Sequence, residues 1–169
     1  MYFMVYVDDL LLTGNDSMAL AAFQEALSDR FSLKSLSSVH YFLGIEVIPT
    51  PTGYILSQQK YMEDVLHRFS MNDANPATTP LASSVSLSLH DGSSPTDATR
   101  YRQVLCALQY LTYTRPDIAF DVNKLSQFMH APSSNHWQSV KRLLRYVSGT
   151  LSHGLAVCHS SAGTKSASI

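Results

Sequence analysis

Two adjacent carboxylates, Asp8 and Asp9, stand between two short apolar runs, residues 2–7 and 10–13. Held at the tip of a strand-turn-strand, such a pair can bind the divalent cations that phosphoryl transfer requires, because hard ions take oxygen ligands and need them fixed in place. The bland reading is that Asp is a common turn residue, and a pair of them between apolar strands is ordinarily a solvated hairpin tip. Spacing alone leaves both readings open.

Other reactive side chains lack company. Ser57-Gln58-Gln59-Lys60 fits the Ser-x-x-Lys of serine acyl-transferring enzymes, but no Ser-Asp-Asn, Lys-Thr-Gly or Gly-x-Ser-x-Gly accompanies it, and Ser57 serves as a helix cap. His153 and His159 have no partner ligands at a zinc-site spacing and read as surface or packing residues. Cys106 and Cys158 lie far apart without a Cys-x-x-Cys, so neither a disulfide framework nor a thiolate metal site is suggested, and both are expected reduced and partly buried.

The elements that must position these residues follow from pattern and punctuation. Residues 2–7 and 10–13 read as a tight hairpin. Gly14-Asn15-Asp16-Ser17 ends it and offers a cap to a helix of about 15 residues, with Leu20, Phe23, Leu27 and Phe31 at helical spacing, an apolar stripe that should cover a sheet. Asn15-Asp16-Ser17 also fits a glycosylation sequon, but without a secretory signal the capping reading is preferred. Residues 41–48 predict a strand, 49–53 a turn and 54–57 its hairpin partner. A second helix should run from Gln58 to Met71, with Tyr61, Val65, Leu66 and Phe69 inward. Pro76, Pro80 and Pro95, among many Ser, Thr and Ala, mark residues 72–97 as a linker. Three helices complete the pattern, near 98–113, 116–130 and 135–148: Pro116 suits a first helical position, Asn135 can cap the last helix and Gly149 can end it.

Composition sets the frame. The 169 residues are 45% hydrophobic, enough for a core, yet no window approaches the ~18 uninterrupted apolar residues of a membrane span, and no signal peptide opens the chain. An intracellular protein is expected. The net charge of −1 conceals a division: up to residue 97 four basic residues face eleven acidic ones, whereas beyond it eight basic residues face only Asp117 and Asp121. An acidic part able to hold metal ions and a basic part able to hold phosphates is one reading; two solvated faces of one domain is the other.

Tyr6-Val7-Asp8-Asp9 followed by Leu10-Leu11-Leu12-Thr13-Gly14 resembles the Tyr-x-Asp-Asp hairpin of reverse transcriptases, in the form used by copia-type LTR retrotransposons. The resemblance continues through Tyr41-Phe42-Leu43-Gly44-Ile45-Glu46-Val47, Leu56-Ser57-Gln58-Gln59-Lys60-Tyr61, Thr79-Pro80-Leu81 and Tyr101-Arg102. Further on it runs through Leu108-Gln109-Tyr110-Leu111-Thr112, Thr114-Arg115-Pro116-Asp117-Ile118, Leu125-Ser126-Gln127-Phe128-Met129, His136-Trp137 and Leu144-Arg145-Tyr146-Val147. It spans residues 2 to about 157 in order.

That resemblance implies an α+β fold: a partial palm over residues 1–71 built of β-hairpins packed with helices, a linker over 72–97, a mainly helical thumb-like or connection-like lobe over 98–150, and a tail over 151–169. It implies a fragment of an RNA-directed DNA polymerase, a nucleotidyltransferase, in which Asp8 and Asp9 are the catalytic, metal-holding carboxylates for two Mg2+ ions. Those ions would activate the primer 3′-hydroxyl and stabilise the leaving pyrophosphate. Tyr6 and Val7 would pack beside the primer terminus, and Gly53, Tyr54, Leu56, Ser57, Gln58 and Lys60 would belong to the primer grip and its flank. Lys141, Arg142 and Arg145 would touch backbone phosphates, or else form a solvated helix face.

The implied partners are an RNA/DNA template-primer duplex and deoxynucleoside triphosphates. By the same comparison the chain would begin after the palm strand bearing the other metal-binding aspartate and after the fingers, and end before the ribonuclease H portion. It would bind Mg2+ weakly and be inactive alone, its apolar surfaces open to self-association. Ser35 and Ser37 stand where the family usually has Asp and Gly, and Cys106 where glycine is usual. The alternative is a non-catalytic nucleic-acid-binding or functionless retrotransposon remnant.

Overall fold

Apolar, β-prone residues on both sides of position 8 pair as their pattern predicts. The computed structural model describes residues 1–7, 9–31, 39–82, 87–89 and 91–158; Asp8, Ser35, Ser37 and His159 lie outside these described residues. Strands β1 (Tyr2–Tyr6) and β2 (Asp9–Thr13) form a two-stranded antiparallel hairpin, with Tyr2 opposite Thr13 and Tyr6 opposite Asp9. Helix α1 (Ser17–Arg30) follows. The Asp16 carboxylate accepts from the amides of Met18 and Ala19 at 3.0 and 3.1 Å, satisfying two donors that have no partner inside the helix. Phe23 meets Phe3 edge to face, with ring centres 5.3 Å apart, so α1 does lean on the hairpin. No residue of α1 is buried, however, and Tyr2 to Val7 all stay exposed.

The strand expected over 41–48 is two strands. Leu43 and Gly44 take φ of +50° and +76°, reversing the chain between β3 (Tyr41–Phe42) and β4 (Ile45–Thr50), which then pair antiparallel. Apolar alternation is blind to this reversal, since a turn of Leu and Gly looks like more strand. Strand β5 (Gly53–Ser57) pairs with β4 across a two-residue loop, Thr50 opposite Gly53, and β6 (Leu155–Cys158) pairs with the other edge of β5. Residues 155–158, placed in the tail by sequence, thus close a four-stranded antiparallel sheet of order β3-β4-β5-β6. The close approach depends on Gly53: a Cβ there would sit 2.0 Å from the Val157 carbonyl oxygen.

The buried core belongs to the helices. α2 (Gln59–Arg68), α3 (Ala98–Leu111), a 3-10 turn (Pro116–Ile118), α4 (Ala119–Ser126) and α5 (Ser134–Ser148) enclose one apolar cluster. It joins Met62, Val65 and Leu66 of α2 to Tyr101, Val104, Leu105 and Leu108 of α3, Val122 of α4, and Val140, Leu143 and Val147 of α5. Met62 takes the fully buried position that the periodicity gave to Tyr61, which is half-buried. Ser133, rather than Asn135, caps α5: its amide donates to His136 Nδ1 at 3.0 Å while its hydroxyl accepts from the His136 amide at 3.4 Å. Asp91 holds that hydroxyl at 2.8 Å, which explains why the neighbouring serine wins.

Parts of the 72–97 stretch lie against the helices. Leu81 and Leu87 pack on the core, the Ala77 amide donates to the Arg145 carbonyl, and Pro95 bridges to Ser133. Cys106 and Cys158 are free and exposed rather than partly buried, each lying on the solvent side of its element.

Candidate nucleic-acid interface

A two-residue hairpin loop requires left-handed backbone, and the first hairpin places a β-branched residue there: Val7 takes φ +49°. A β-branched side chain in that region crowds its own backbone, at a cost of roughly 1–3 kcal/mol, and such strain persists where surrounding structure enforces it. Val7 sits in sequence directly before Asp8, and Asp9 opens β2 with its side chain exposed. Among the described residues no group of three or more His, Cys, Asp or Glu is placed to hold a metal ion. The residues described do not complete a magnesium site, which needs near-octahedral oxygen coordination.

The second hairpin splits into an exposed and a buried half. Tyr54 is 45% exposed, Lys60 is exposed and its amide donates to Glu46, whereas Gly53, Ser57 and Gln58 are buried and Leu56 is half-buried. Ser57, one residue before Gln58 at the cap position of α2, accepts from the Gln59 amide at 3.2 Å. Gln58 is sealed in the core, where its side-chain carbonyl accepts from the Thr114 hydroxyl at 2.7 Å and its amide nitrogen has no partner among the described residues. Gln58 therefore ties this hairpin to the end of α3 and presents nothing outward.

A cluster of tyrosines links the four-stranded sheet to α3. The Tyr110 hydroxyl donates to the Leu43 carbonyl at the β3–β4 reversal, and its ring meets Tyr61 and Tyr113 edge to face at 5.1 and 5.8 Å. Burial, and then the neighbouring phenols of Tyr41, Tyr6 and Tyr113, hold the Tyr110 hydroxyl above its ordinary pKa, so it remains a donor.

Arg115 is the residue that sequence reasoning placed in a motif without a role. It is 1% exposed and makes a forked pair with Asp117 at 2.9 and 2.8 Å, while a third nitrogen donates to the Thr150 carbonyl at 2.9 Å. The Tyr146 hydroxyl donates to the same carboxylate at 2.9 Å. These bonds fasten the turn after α3 to the end of α5. The only sequence signal was Pro116-Asp117 beside an arginine, which periodicity cannot distinguish from a helix start.

The three basic residues assigned to α5 part ways. Arg142 donates to the Thr79 hydroxyl at 2.8 Å and Arg145 to the Asn75 carbonyl at 2.5 Å, so both half-buried side chains are tied to the stretch before α3. Lys141 is exposed, its ammonium 5.9 Å from the centre of the Trp137 ring, and Arg100 of α3 lies 5.4 Å from the same ring. Arg100 was missed because its partner arrives from another helix. His136 is buried and stacked on Phe128, and His153 is exposed. No helix among the described residues is long and apolar enough to cross a membrane.

Residues 1–83 match the family described as reverse transcriptase (RNA-dependent DNA polymerase). The chain is similar to the retrovirus-related Pol polyprotein from transposon RE1 of Arabidopsis thaliana, 53% identical over 154 residues that cover 91% of this chain and 10% of that protein. It is 37% identical over 158 residues to the retrovirus-related Pol polyprotein from transposon TNT 1-94 of Nicotiana tabacum, covering 87% of this chain and 12% of the other. An uncharacterized mitochondrial protein of Arabidopsis thaliana is 45% identical over 157 residues, 93% of this chain and 65% of its own length. The chain spans about a tenth of the length of the Pol polyproteins it matches. No solved structure matches it.

Proposed function

Since the chain belongs to the copia-type reverse transcriptase family of transposon Pol polyproteins, we propose that it serves as the palm-and-thumb part of an RNA-directed DNA polymerase, presenting the Asp8-Asp9 hairpin to a template-primer duplex. The observation that carries this reading is the hairpin itself, in which Tyr6 stands opposite Asp9 and Val7 is held in a strained left-handed turn beside the first carboxylate. A β-branched residue has no steric reason to occupy that position, and strain of this kind collects where a side chain must be aimed.

The family generally uses divalent metals, and Asp8 and Asp9 have the right donor chemistry for Mg2+. A further carboxylate from outside the described residues is required to complete the site, and so is a deoxynucleoside triphosphate. On this reading nucleotide transfer is expected where a partner supplies that carboxylate. The fingers, the earlier palm strand and the ribonuclease H portion are the partners this reading needs, in an intracellular setting. In the primer grip, Tyr54 and Lys60 face the primer, while Gly53, Ser57 and Gln58 hold the hairpin in place from beneath.

Primer extension on an RNA template with Mg2+ tests this, using the chain alone and then mixed with a separately made fingers-and-upper-palm fragment of a copia-type relative. Extension in the mixture, abolished by Asp8→Asn, is the expected result. Extension by the chain alone overturns the requirement for a partner. Silence in both, with folded protein, favours a non-catalytic nucleic-acid-binding remnant.

A further inference from the structure

Helices α3 and α5 pack together and carry Arg100, Arg102, Lys141, Arg142 and Arg145 without one Asp or Glu between them. Arg142 and Arg145 are already bonded to Thr79 and Asn75. The remaining three, with Arg68 in the last turn of α2, line two neighbouring clefts where the end of α2 meets the start of α3. Arg100, Lys141 and Trp137 wall a cleft of about 180 Å³ beside Phe69, Ser70 and Met71. Arg68 and Arg102 wall the other, with Tyr61, Thr99 and Gln103.

None of these four cations has a carboxylate within ion-pair distance: among the described residues the one such pair is Arg115 with Asp117. Asp97, at the head of α3, spends its carboxylate on the amides of Thr99 and Arg100 at 2.8 and 3.1 Å. Two cations within about 6 Å of one indole repel each other, and the ring's negative face offsets only part of that repulsion. An external anion would offset the rest.

We infer that Arg68, Arg100, Arg102 and Lys141 form a track for the sugar-phosphate backbone of a nucleic-acid duplex, crossing the first turn of α3. This rests on the polymerase reading above and supplies it with residues that touch the duplex. Trp137 decides for a duplex over a single strand. Single-strand binders stack bases on open aromatic faces, but two cations occupy this ring and Tyr61 is packed edge-on against Tyr110. Bonds of this type set register on the duplex without reading its sequence.

The test is fluorescence anisotropy of the full chain with a labelled DNA duplex, and with one labelled strand, over a salt series. Arg100→Gln with Lys141→Gln, and Arg68→Gln with Arg102→Gln, should each weaken duplex binding about tenfold. The slope of log affinity against log salt should fall by about 0.9 for each phosphate that the variant no longer neutralises. Arg30→Gln on α1 should leave that slope unchanged, and thermal melts should show each variant folded. Duplex binding retained by both double variants with the original slope overturns the track and leaves the polymerase reading standing. Weakening confined to the single strand overturns the assignment to a duplex. No binding by the folded parent chain overturns both.

Discussion

Arg115 and Asp117 are two residues apart in sequence and joined by two parallel hydrogen bonds, with the guanidinium almost wholly buried and the carboxylate 38% exposed. Burying a cation is tolerable only when it is paired, so the pair is worth most when one half is removed. Asp117→Asn is expected to lower unfolding free energy by about 2 kcal/mol. That is less than the roughly 3–5 kcal/mol of a fully buried broken pair, because solvent screens this carboxylate. Urea denaturation of the two proteins side by side measures it, and an unchanged midpoint would refute the role given to Arg115.

Acidification separates Asp117 from Asp121. Burial raises the Asp117 pKa, but the Arg115 hydrogen bonds and charge, with the Tyr146 hydroxyl, outweigh it and leave the group below 3.8. Its contribution is present above that unfolded-state value and is lost as pH falls through the folded value. Asp121 has the opposite sign: burial holds its carboxyl above 3.8 against the opposing charge of Lys124. Its contribution is full below 3.8 and is lost as pH rises through its folded value. Asp121→Asn should therefore stabilise the protein at neutral pH, and Asp117→Asn should flatten the acid limb, in denaturant midpoints taken from about pH 7 to about pH 3.

Gly53→Ala should detach β6. The new methyl would meet the Val157 carbonyl oxygen at 2.0 Å and the Cys158 Cα at 2.9 Å, both backbone atoms that cannot rotate away. Hydrogen-exchange mass spectrometry should show residues 155–158 losing protection while the helical core keeps its own. Equal deprotection of α3 and α5 would mean that β6 is integral to the core rather than an edge.

Tyr2, Met4 and Tyr6 share one face of β1, opposite to the Phe3 that meets α1, and each is more than half exposed. Apolar side chains in a row on a strand whose other edge has no partner among the described residues invite association. Met4→Lys should shift sedimentation toward the monomer with little change in melting temperature, and a parent chain that stays monomeric at high concentration would contradict this.

Periodicity found the helices of the core because each presents a stripe to it, as with Val65, Leu66 and Phe69 in and beside α2 and Val140, Leu144 and Val147 in α5; α1 was found as readily although none of its residues is buried. Local capping chemistry was equally legible at Asp16. What escaped were features made by distant residues. The reversal at Leu43-Gly44 is held by Tyr110, the cap of α5 is chosen by Asp91, and β6 exists because Gly53 leaves room for it. The candidate site divided the same way. That Tyr6 and Asp9 face each other follows from the two apolar runs around them, whereas the engagement of Gln58, Arg142 and Arg145 depends on Thr114, Thr79 and Asn75.

One core built from α2 together with helices that come after it has a consequence for synthesis. A ribosome delivers Met62, Val65 and Leu66 first and the residues that cover them, Leu105, Leu143 and Val147, last. Until α5 has been translated the nascent chain carries an open apolar face on α2, and it must be kept from other chains through that interval. Once α5 has covered that face, Thr150 follows directly, and its carbonyl and hydroxyl receive Arg115.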